Sequence, residues 1–255
     1  MKDLRLSVSK TKTFIDCKAK FNFSYNLKLP KKEMDYHIFG KFCHKALEDF
    51  HLAYIDGSTL PYNKVMGWAY KNALTEFKEK MTEDQKSQAK IIIDKYLQIV
   101  YKEKFNVIAV EKKFDFKIAE NIILNGMIDR IQIDDDNVLH VADYKTTQNL
   151  KYLKNDWFQL LTYALVLLEE DPSITKIRAS YILLKHDFQY ITKEFSLPEI
   201  MEVKDKYIEY ANQINSETEY PANITNLCPW CEFKDSCVPF QEKNKDRYKF
   251  GAVDY

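Results

Sequence analysis

The sequence is poor in the residues that punctuate or loosen a chain. Of 255 residues only 5 are Gly and 7 are Pro, which argues against long disordered linkers; there is no internal repeat or low-complexity tract. A charge bias is also missing. Lys+Arg and Asp+Glu number 38 each, so net charge neither points to a polyanionic partner nor excludes one, because a local basic groove can coexist with an acidic metal site. Long hydrophobic runs are absent too. The longest nearly unbroken one, Leu160 to Leu168, is far shorter than the roughly 20 residues that span a bilayer. Met1 to Lys10 lacks the apolar run of a signal peptide. No membrane association is expected, and the expected compartment is the cytoplasm, or the host cytoplasm if the chain is viral. There, five cysteines are better read as free, metal-bound or catalytic than as disulfides.

What is present is ordinary globular hydrophobicity, at 45%, with 17 Tyr and 16 Phe, enough for one sizeable core. Residues 9–27 begin with a short helix. Residues 37–56 form a helix on Phe42, Ala46, Leu47 and Phe50, and 63–80 and 84–104 are two more, the last with a stripe of Ile91, Ile92, Lys95, Ile99 and Val100. The pattern then turns to strands at Val107–Ile118, Ile122–Ile133 and Val138–Thr146, parted by Ala119-Glu120-Asn121 and Asp134-Asp135-Asp136-Asn137. Asn155–Glu170 is a helix apolar almost all round. Strands at Ala179–Leu184 and Tyr190–Phe195, a helix at Pro198–Asn215, a cysteine-bearing loop and a charged tail complete the chain. Helices followed by a strand meander, a helix and more strands imply an α/β fold.

The chemistry concentrates in Gly126-Met127-Ile128-Asp129-Arg130-Ile131 and Val141-Ala142-Asp143-Tyr144-Lys145-Thr146. Alternate strand side chains share a face, so Asp143 and Lys145 project together, with Asp129 on the preceding strand. If those strands pair, two carboxylates converge on one hard cation, Mg²⁺ or Mn²⁺. An adjacent ammonium orients the attacking water and offsets charge building on a phosphate. The bland reading is that Asp129 pairs with Arg130 and that Asp143–Lys145 is a solvated edge. Against it, Leu139 and Val141 share the parity of Asp143, and a charged pair on an apolar face needs a reason.

In this order the motifs resemble the PD-(D/E)XK nuclease superfamily, in its RecB-like branch. Gly40-x-x-x-His44 resembles the early histidine motif, Glu111 the glutamate before the first catalytic Asp, and Gly126-x-x-Asp129-Arg130-Ile131 the metal-binding Asp motif. Asp143-Tyr144-Lys145 resembles the core D-x-K and Gln159-x-x-x-Tyr163 the Q-x-x-x-Y on the following helix. The resemblance covers roughly residues 5–240. It implies His44, Asp129, Asp143 and the Tyr144 carbonyl as metal ligands and Lys145 as the group that positions the nucleophile. Glu111, Gln159 and Tyr163 are expected to complete the site. Bland alternatives are a half-buried His44, a solvent-facing Glu111, and an internal hydrogen bond between Gln159 and Tyr163. Glu48 and His51 extend the polar face of the His44 helix.

Cys228-Pro229-Trp230-Cys231 and Cys237 give C-x₂-C-x₅-C near the C-terminus, with Cys17 far upstream. Close cysteines in this compartment bind metal, and thiolates take zinc or an iron–sulfur cluster. AddB-like and CRISPR-associated members of the branch have the same layout, which implies a [4Fe–4S] cluster on Cys17, Cys228, Cys231 and Cys237; Lys18 stands where a Pro is common. Closing so long a loop would stabilise the fold, on the order of 4–5 kcal/mol by the chain-entropy argument for cross-links, and make the cluster structural. Cys43 is read as a small buried apolar residue.

The expected architecture is a single nuclease domain over 1–255. It has a central mixed β-sheet flanked by helices, a helical insertion at 55–105, and a cysteine lobe of residues 17 and 226–240 joining the termini. The expected function is metal-dependent hydrolysis of DNA, by resemblance an exonuclease on single-stranded ends such as occur in phages, CRISPR systems and bacterial repair. Basic and aromatic residues of 9–28 and of the tail are candidates to track the strand. With no G-x-x-x-x-G-K-[ST] loop, unwinding falls to a helicase, recombination or CRISPR partner. The alternatives are an inactive relative that grips nucleic acid or a partner protein, and a structural zinc protein.

Overall fold

The computed structural model describes residues 3–31, 35–148, 150, 153 and 156–244. Asn155 and the 245–255 part of the charged tail lie outside these. The elements, in order, are β1 (Leu4–Leu6), α1 (Val8–Asp16), α2 (Lys18–Phe21), a π-helical turn (Asn22–Asn26), α3 (Asp35–Ile55), α4 (Tyr62–Phe77), α5 (Glu83–Lys102), β2 (Val107–Ala119), β3 (Ile122–Ile133), β4 (Leu139–Lys145), α6 (Phe158–Glu170), β5 (Ile177–Leu183), β6 (Gln189–Phe195), α7 (Leu197–Ser216) and α8 (Val238–Lys243). Where the sequence reading has one domain, the chain divides into two compact units: Met1–Arg5 with Glu33–Lys206, and Leu6–Lys32 with Tyr207–Tyr255. No helix among the described residues is long and apolar enough to cross a membrane.

The first unit is built on a six-stranded sheet. Strand order is β1-β3-β4-β5-β6, with β2 along β3. β2–β3, β3–β4 and β5–β6 run antiparallel, while β4 and β5 are parallel across the α6 crossover. The sheet is therefore mixed, as expected, and helices flank it. The Asp-rich turn closes through Asn137 in the left-handed region (φ 59°), with Asn137 N–H donating to the Asp134 carbonyl at 2.8 Å; Asn tolerates that conformation better than most residues.

The span 55–105 holds α4 and α5, which pack with α3 into one aromatic-rich layer. Phe42, Ala46, Leu47 and Phe50 of α3 are buried with Ala69, Ala73 and Phe77 of α4 and Ile92, Ile93 and Tyr96 of α5, against Ala142 and Tyr144 of β4. α5 starts at a Thr82–Gln85 capping box. Its buried stripe differs from the expected one. Ala89, Ile92, Ile93, Tyr96 and Val100 point inward, whereas Ile91 is 67% exposed. Both registers satisfy helical spacing; the observed one turns Tyr96 toward a buried Arg130, to which it hydrogen-bonds.

Candidate metal and phosphodiester site

Strand pairing brings the acids together. In the β2–β3 register Val110 faces Arg130 and Lys112 faces Ile128, which sets Glu111 opposite Asp129. Glu111 takes φ 45°, a left-handed backbone strained for a non-glycine residue and frequent where a side chain must be re-aimed. The β3–β4 ladder stops at Arg130–Ala142. One step on, Asp129 Oδ2 accepts the Tyr144 N–H at 2.9 Å, so a side chain replaces the ladder where the two aspartates meet. Gly126 permits the approach of Phe114: an added Cβ would sit 2.6 Å from the Phe114 ring. That ring in turn meets Tyr163 edge-on, with centroids 6.3 Å apart.

His44 comes in from α3. Its Nε2 lies 3.0 Å from the Tyr144 carbonyl, and Nδ1 faces Asp129 Oδ2 at 3.4 Å and Glu111 at 3.9 Å. The carbonyl can only accept, so Nε2 carries the proton of this bond. Ligand atoms of His44, Glu111 and Asp129 all lie within 4.8 Å of one another, and among the described residues no other group of three or more His, Cys, Asp or Glu does so. Glu111 thus joins the donor group directly, although only an undefined supporting role was expected of it; Asp143 lies outside this tight group. Asp143 Oδ1 accepts from Gln159 Nε2 at 2.5 Å. Its Oδ2 lies 2.6 Å from Lys145 Nζ, yet it is buried and makes no well-aligned hydrogen bond. The contact is an ion pair with a lone pair left over.

The surroundings raise the affinity of these groups for protons. For His44, burial alone would lower the pKa, but Asp129, Glu111 and Asp143 outweigh it and push the imidazole up to about 9. Burial and then Asp143 raise Asp129 to about 7, against the pull of His44. Carboxylates this crowded hold a proton unless a cation replaces it. The donor set of carboxylate oxygens and one imidazole suits a divalent ion.

The remaining expected residues surround this group. Lys145 Nζ donates to Gln159 Oε1 at 2.9 Å and lies 5.1 Å from the Tyr181 ring centroid. Gln159 Nε2 also donates to the Tyr163 hydroxyl at 2.7 Å, and that hydroxyl reaches Asp143 at 3.4 Å. Gln159 and Tyr163 are therefore bonded internally, and to the very pair they flank. Glu48 and His51 do not join: Glu48 meets Lys45 at 3.3 Å, and His51 bonds the Tyr96 hydroxyl. Arg130 does not pair with Asp129. Neighbouring strand residues point to opposite faces, and its guanidinium, fully buried, bonds Tyr96 at 3.1 Å, Tyr144 at 3.4 Å and the Gln132 amide oxygen. Nothing in the sequence reading singled out that network; strand parity alone carried its signal.

The sheet with its flanking helices, and a crowded carboxylate–imidazole group beside a lysine that could hold a metal ion, are of the kind found in hydrolases. The profile of the PD-(D/E)XK nuclease superfamily matches residues 5–238, and the chain belongs to that superfamily, whose members use divalent metals to cut nucleic acid. A Eubacterium rectale protein described as a candidate exonuclease is similar in structure. Its TM-score is 0.56 at 12% identity, over 98% of this chain and 90% of that one, which is a likeness of fold. A structure called SSO0001 covers 87% of this chain and 94% of its own at 17% identity, with a TM-score of 0.38. No curated protein matches.

Proposed function

We propose that this chain is a Mg²⁺- or Mn²⁺-dependent deoxyribonuclease that works from single-stranded DNA ends and carries a structural [4Fe–4S] cluster. The observation that carries the catalytic part is the approach of His44 Nδ1, Glu111 and Asp129 within 4.8 Å of one another, beside an Asp143 oxygen that is buried and not hydrogen-bonded. His44, Asp129, Asp143 and the Tyr144 carbonyl are the proposed ligands, and the position of Glu111 supports adding its carboxylate. An ion held there would polarise a phosphoryl oxygen and make water nucleophilic at neutral pH.

Lys145 is held by Gln159 and Asp143 with its ammonium fixed. It is suited to orient the attacking water and to offset charge as it builds on the phosphate. Gln159 and Tyr163 donate to Asp143 Oδ1 and hold it aimed. The exonuclease choice rests on the RecB-like resemblance and on the description of the E. rectale fold neighbour. The choice of a single strand also draws on the lysines and aromatics of 9–28, where Lys10 lies 5.4 Å from the Tyr25 ring. A helicase, recombination or CRISPR partner would supply such strands.

The placing of the cysteines supports a shared metal group. Cys17, Cys228, Cys231 and Cys237 line one cavity of about 30 Å³ with Phe23 and Phe233. Backbone N–H groups of Asn223 and Thr225 donate to the sulfurs of Cys17 (3.5 Å) and Cys228 (3.3 Å), as protein amides do for cluster thiolates. Thiolates take zinc or an iron–sulfur core alike, and the choice of the cluster rests on the AddB-like layout of Cys17, Cys228, Cys231 and Cys237. Segments from both ends of the chain form this unit: Ala19 N–H donates to the Pro221 carbonyl at 3.2 Å, and Phe21 stacks on Tyr220 at 6.4 Å.

The test is cleavage of end-labelled linear and closed circular single-stranded DNA with Mn²⁺, by the protein and by Lys145→Ala. Degradation of the linear strand alone, lost in the variant, is expected. Equal activity or equal inactivity of the two proteins overturns the mechanism, and cutting of circles overturns exonuclease action. Anaerobically prepared protein should be brown, with an absorbance band near about 400 nm that Cys228→Ser removes; a colourless, zinc-loaded protein overturns the cluster.

A further inference from the structure

Two turns of α3 beyond His44, roughly 10 Å at 1.5 Å per residue, lies a second concavity that the nuclease reading does not use. It has a volume of about 120 Å³ and is walled by Phe50, Tyr54, Tyr62 and Phe105, with His51 and Glu103 also in its lining. The rings are packed edge to face. Tyr54 and Tyr62 centroids are 5.1 Å apart at 85°, and Phe50 meets each of them at 64–65°. Beyond Tyr62 stands Tyr101, 58% exposed and 5.4 Å away. The aromatic lining therefore runs out to solvent.

His51 distinguishes this concavity from a packing gap. The residue is 95% buried, at 5% exposure, and one ring nitrogen, Nε2, is bonded to the Tyr96 hydroxyl. That hydroxyl already accepts from Arg130 Nη1 at 3.1 Å, so its own proton goes to His51. Burial and the neighbouring Arg130 charge keep the ring neutral. A neutral imidazole that accepts at Nε2 carries its proton on Nδ1. Among the described residues Nδ1 has no partner, yet it is not one of the fully enclosed unbonded atoms. A fixed donor thus stands among aromatic walls, with the exposed Glu103 carboxylate as an acceptor at the rim.

We infer that the concavity between α3, α4 and the α5–β2 connection is a nucleobase site, in which aromatic side chains take the base and His51 Nδ1 and Glu103 bond its polar edge. The chemistry matches: every base offers a flat face for stacking and an edge with donors and acceptors. A base can arrive as part of a bound strand or on a free nucleotide. The strand version rests on the proposed nuclease reading, with α3 carrying both the metal-site histidine and the base-site histidine.

The experiment uses the full chain without added metal, so that turnover is not the readout. The four deoxynucleoside 5′-monophosphates, deoxyribose 5-phosphate and a short single-stranded oligonucleotide are titrated calorimetrically into the protein, Tyr62→Ala and Glu103→Ala. Lys145→Ala serves as the catalytic-site control. Saturation-transfer NMR reports which ligand protons touch the protein. At least one base-bearing ligand should bind with its base protons in contact, deoxyribose 5-phosphate should not, and both pocket variants should weaken binding about tenfold, the value of one lost stacking or hydrogen-bonding contact. Glu103 is exposed, so its variant tests the site without disturbing the core. Binding by the oligonucleotide alone assigns the pocket to the strand, and binding by mononucleotides assigns it to free nucleotide as well. Absence of binding by every base-bearing ligand, or undiminished binding in both pocket variants, overturns the inference. Should cleavage fail while these contacts persist, the nuclease reading falls and the base site stands.

Discussion

β3 and β4 carry opposite electrostatic problems on their two faces. On one, Asp129 and Asp143 with Glu111 from β2 crowd three carboxylates around His44 and Lys145. On the other, one residue along, Arg130 is buried and its hydrogen bonds go to two phenols and an amide, with the Phe105 ring 4.3 Å away. The guanidinium face is closed by neutral groups that belong to the fold. The carboxylate face is balanced only by a protonated imidazole and one ammonium, so it favours an added cation. One face therefore shares its charge among partners within the fold, with Arg130 Nε left buried and unbonded, and the other holds a repulsion that the proposed metal ion would relieve.

Breaking the carboxylate face should have the largest effect on activity. Asp129→Asn is expected to lower cleavage by about a thousandfold, as loss of a principal electrostatic group does, while thermal unfolding shows the metal-free variant as stable as the parent or more so. A variant that is both inactive and unfolded would erase the contrast. Breaking the other face should act on folding. Arg130→Ala leaves a cavity and strands the phenols and the Gln132 oxygen, lowering stability by about 3 kcal/mol in urea unfolding. Arg130→Met, which fills the space, should lose less than half as much, because no buried carboxylate is left unpaired.

Proton linkage sharpens the comparison. Asp129 is raised from 3.8 to about 7 and His44 from 6.5 to about 9, so in both cases the unfolded chain loses the proton first. Stability of the metal-free protein should therefore fall as pH rises from about 4 to 7 through Asp129, and again from 6.5 to 9 through His44. A divalent ion must displace the same protons, so its affinity should climb across pH 6–9, with proton release visible in calorimetry at differing buffer ionisation heats. Affinity that does not change with pH would mean that these groups are not ligands. The smallest effect is expected at Gly126→Ala. The Cβ would press on Phe114, and overpacking of this kind costs about 1–3 kcal/mol, read as a lowered unfolding midpoint.

Most of the fold was legible in the sequence because its signals are local. The helical spacing of Ile92, Ile99 and Val100, the β-rich runs of Val107 to Ile133 and the Asp-rich turn each act within a few residues, and all these elements formed within a few residues of their expected ends. β1 was missed, since three residues, Leu4–Leu6, carry no period. Of the site, Asp143 and Lys145 could be put on one face by strand parity, with Asp129 joining them if the neighbouring strands paired. The bend at Glu111 could not be foreseen, because a left-handed residue inside a strand is imposed by its neighbours rather than by its own preference.

By itself the sequence determined which residues are available and on which face of each element they stand, since side-chain direction follows from periods of 2 and 3.6. It also determined that the chain is a PD-(D/E)XK nuclease superfamily member, through motifs whose order survives any uncertainty about contact. Tertiary structure alone decided the helix phase that turns Tyr96 to Arg130, the entry of Glu111 into the donor group and the bond from His44 to the Tyr144 carbonyl. Each depends on residues far apart in the chain reaching within a few ångströms of one another. Local propensity cannot encode such approaches; packing and the pairing of buried polar groups select them.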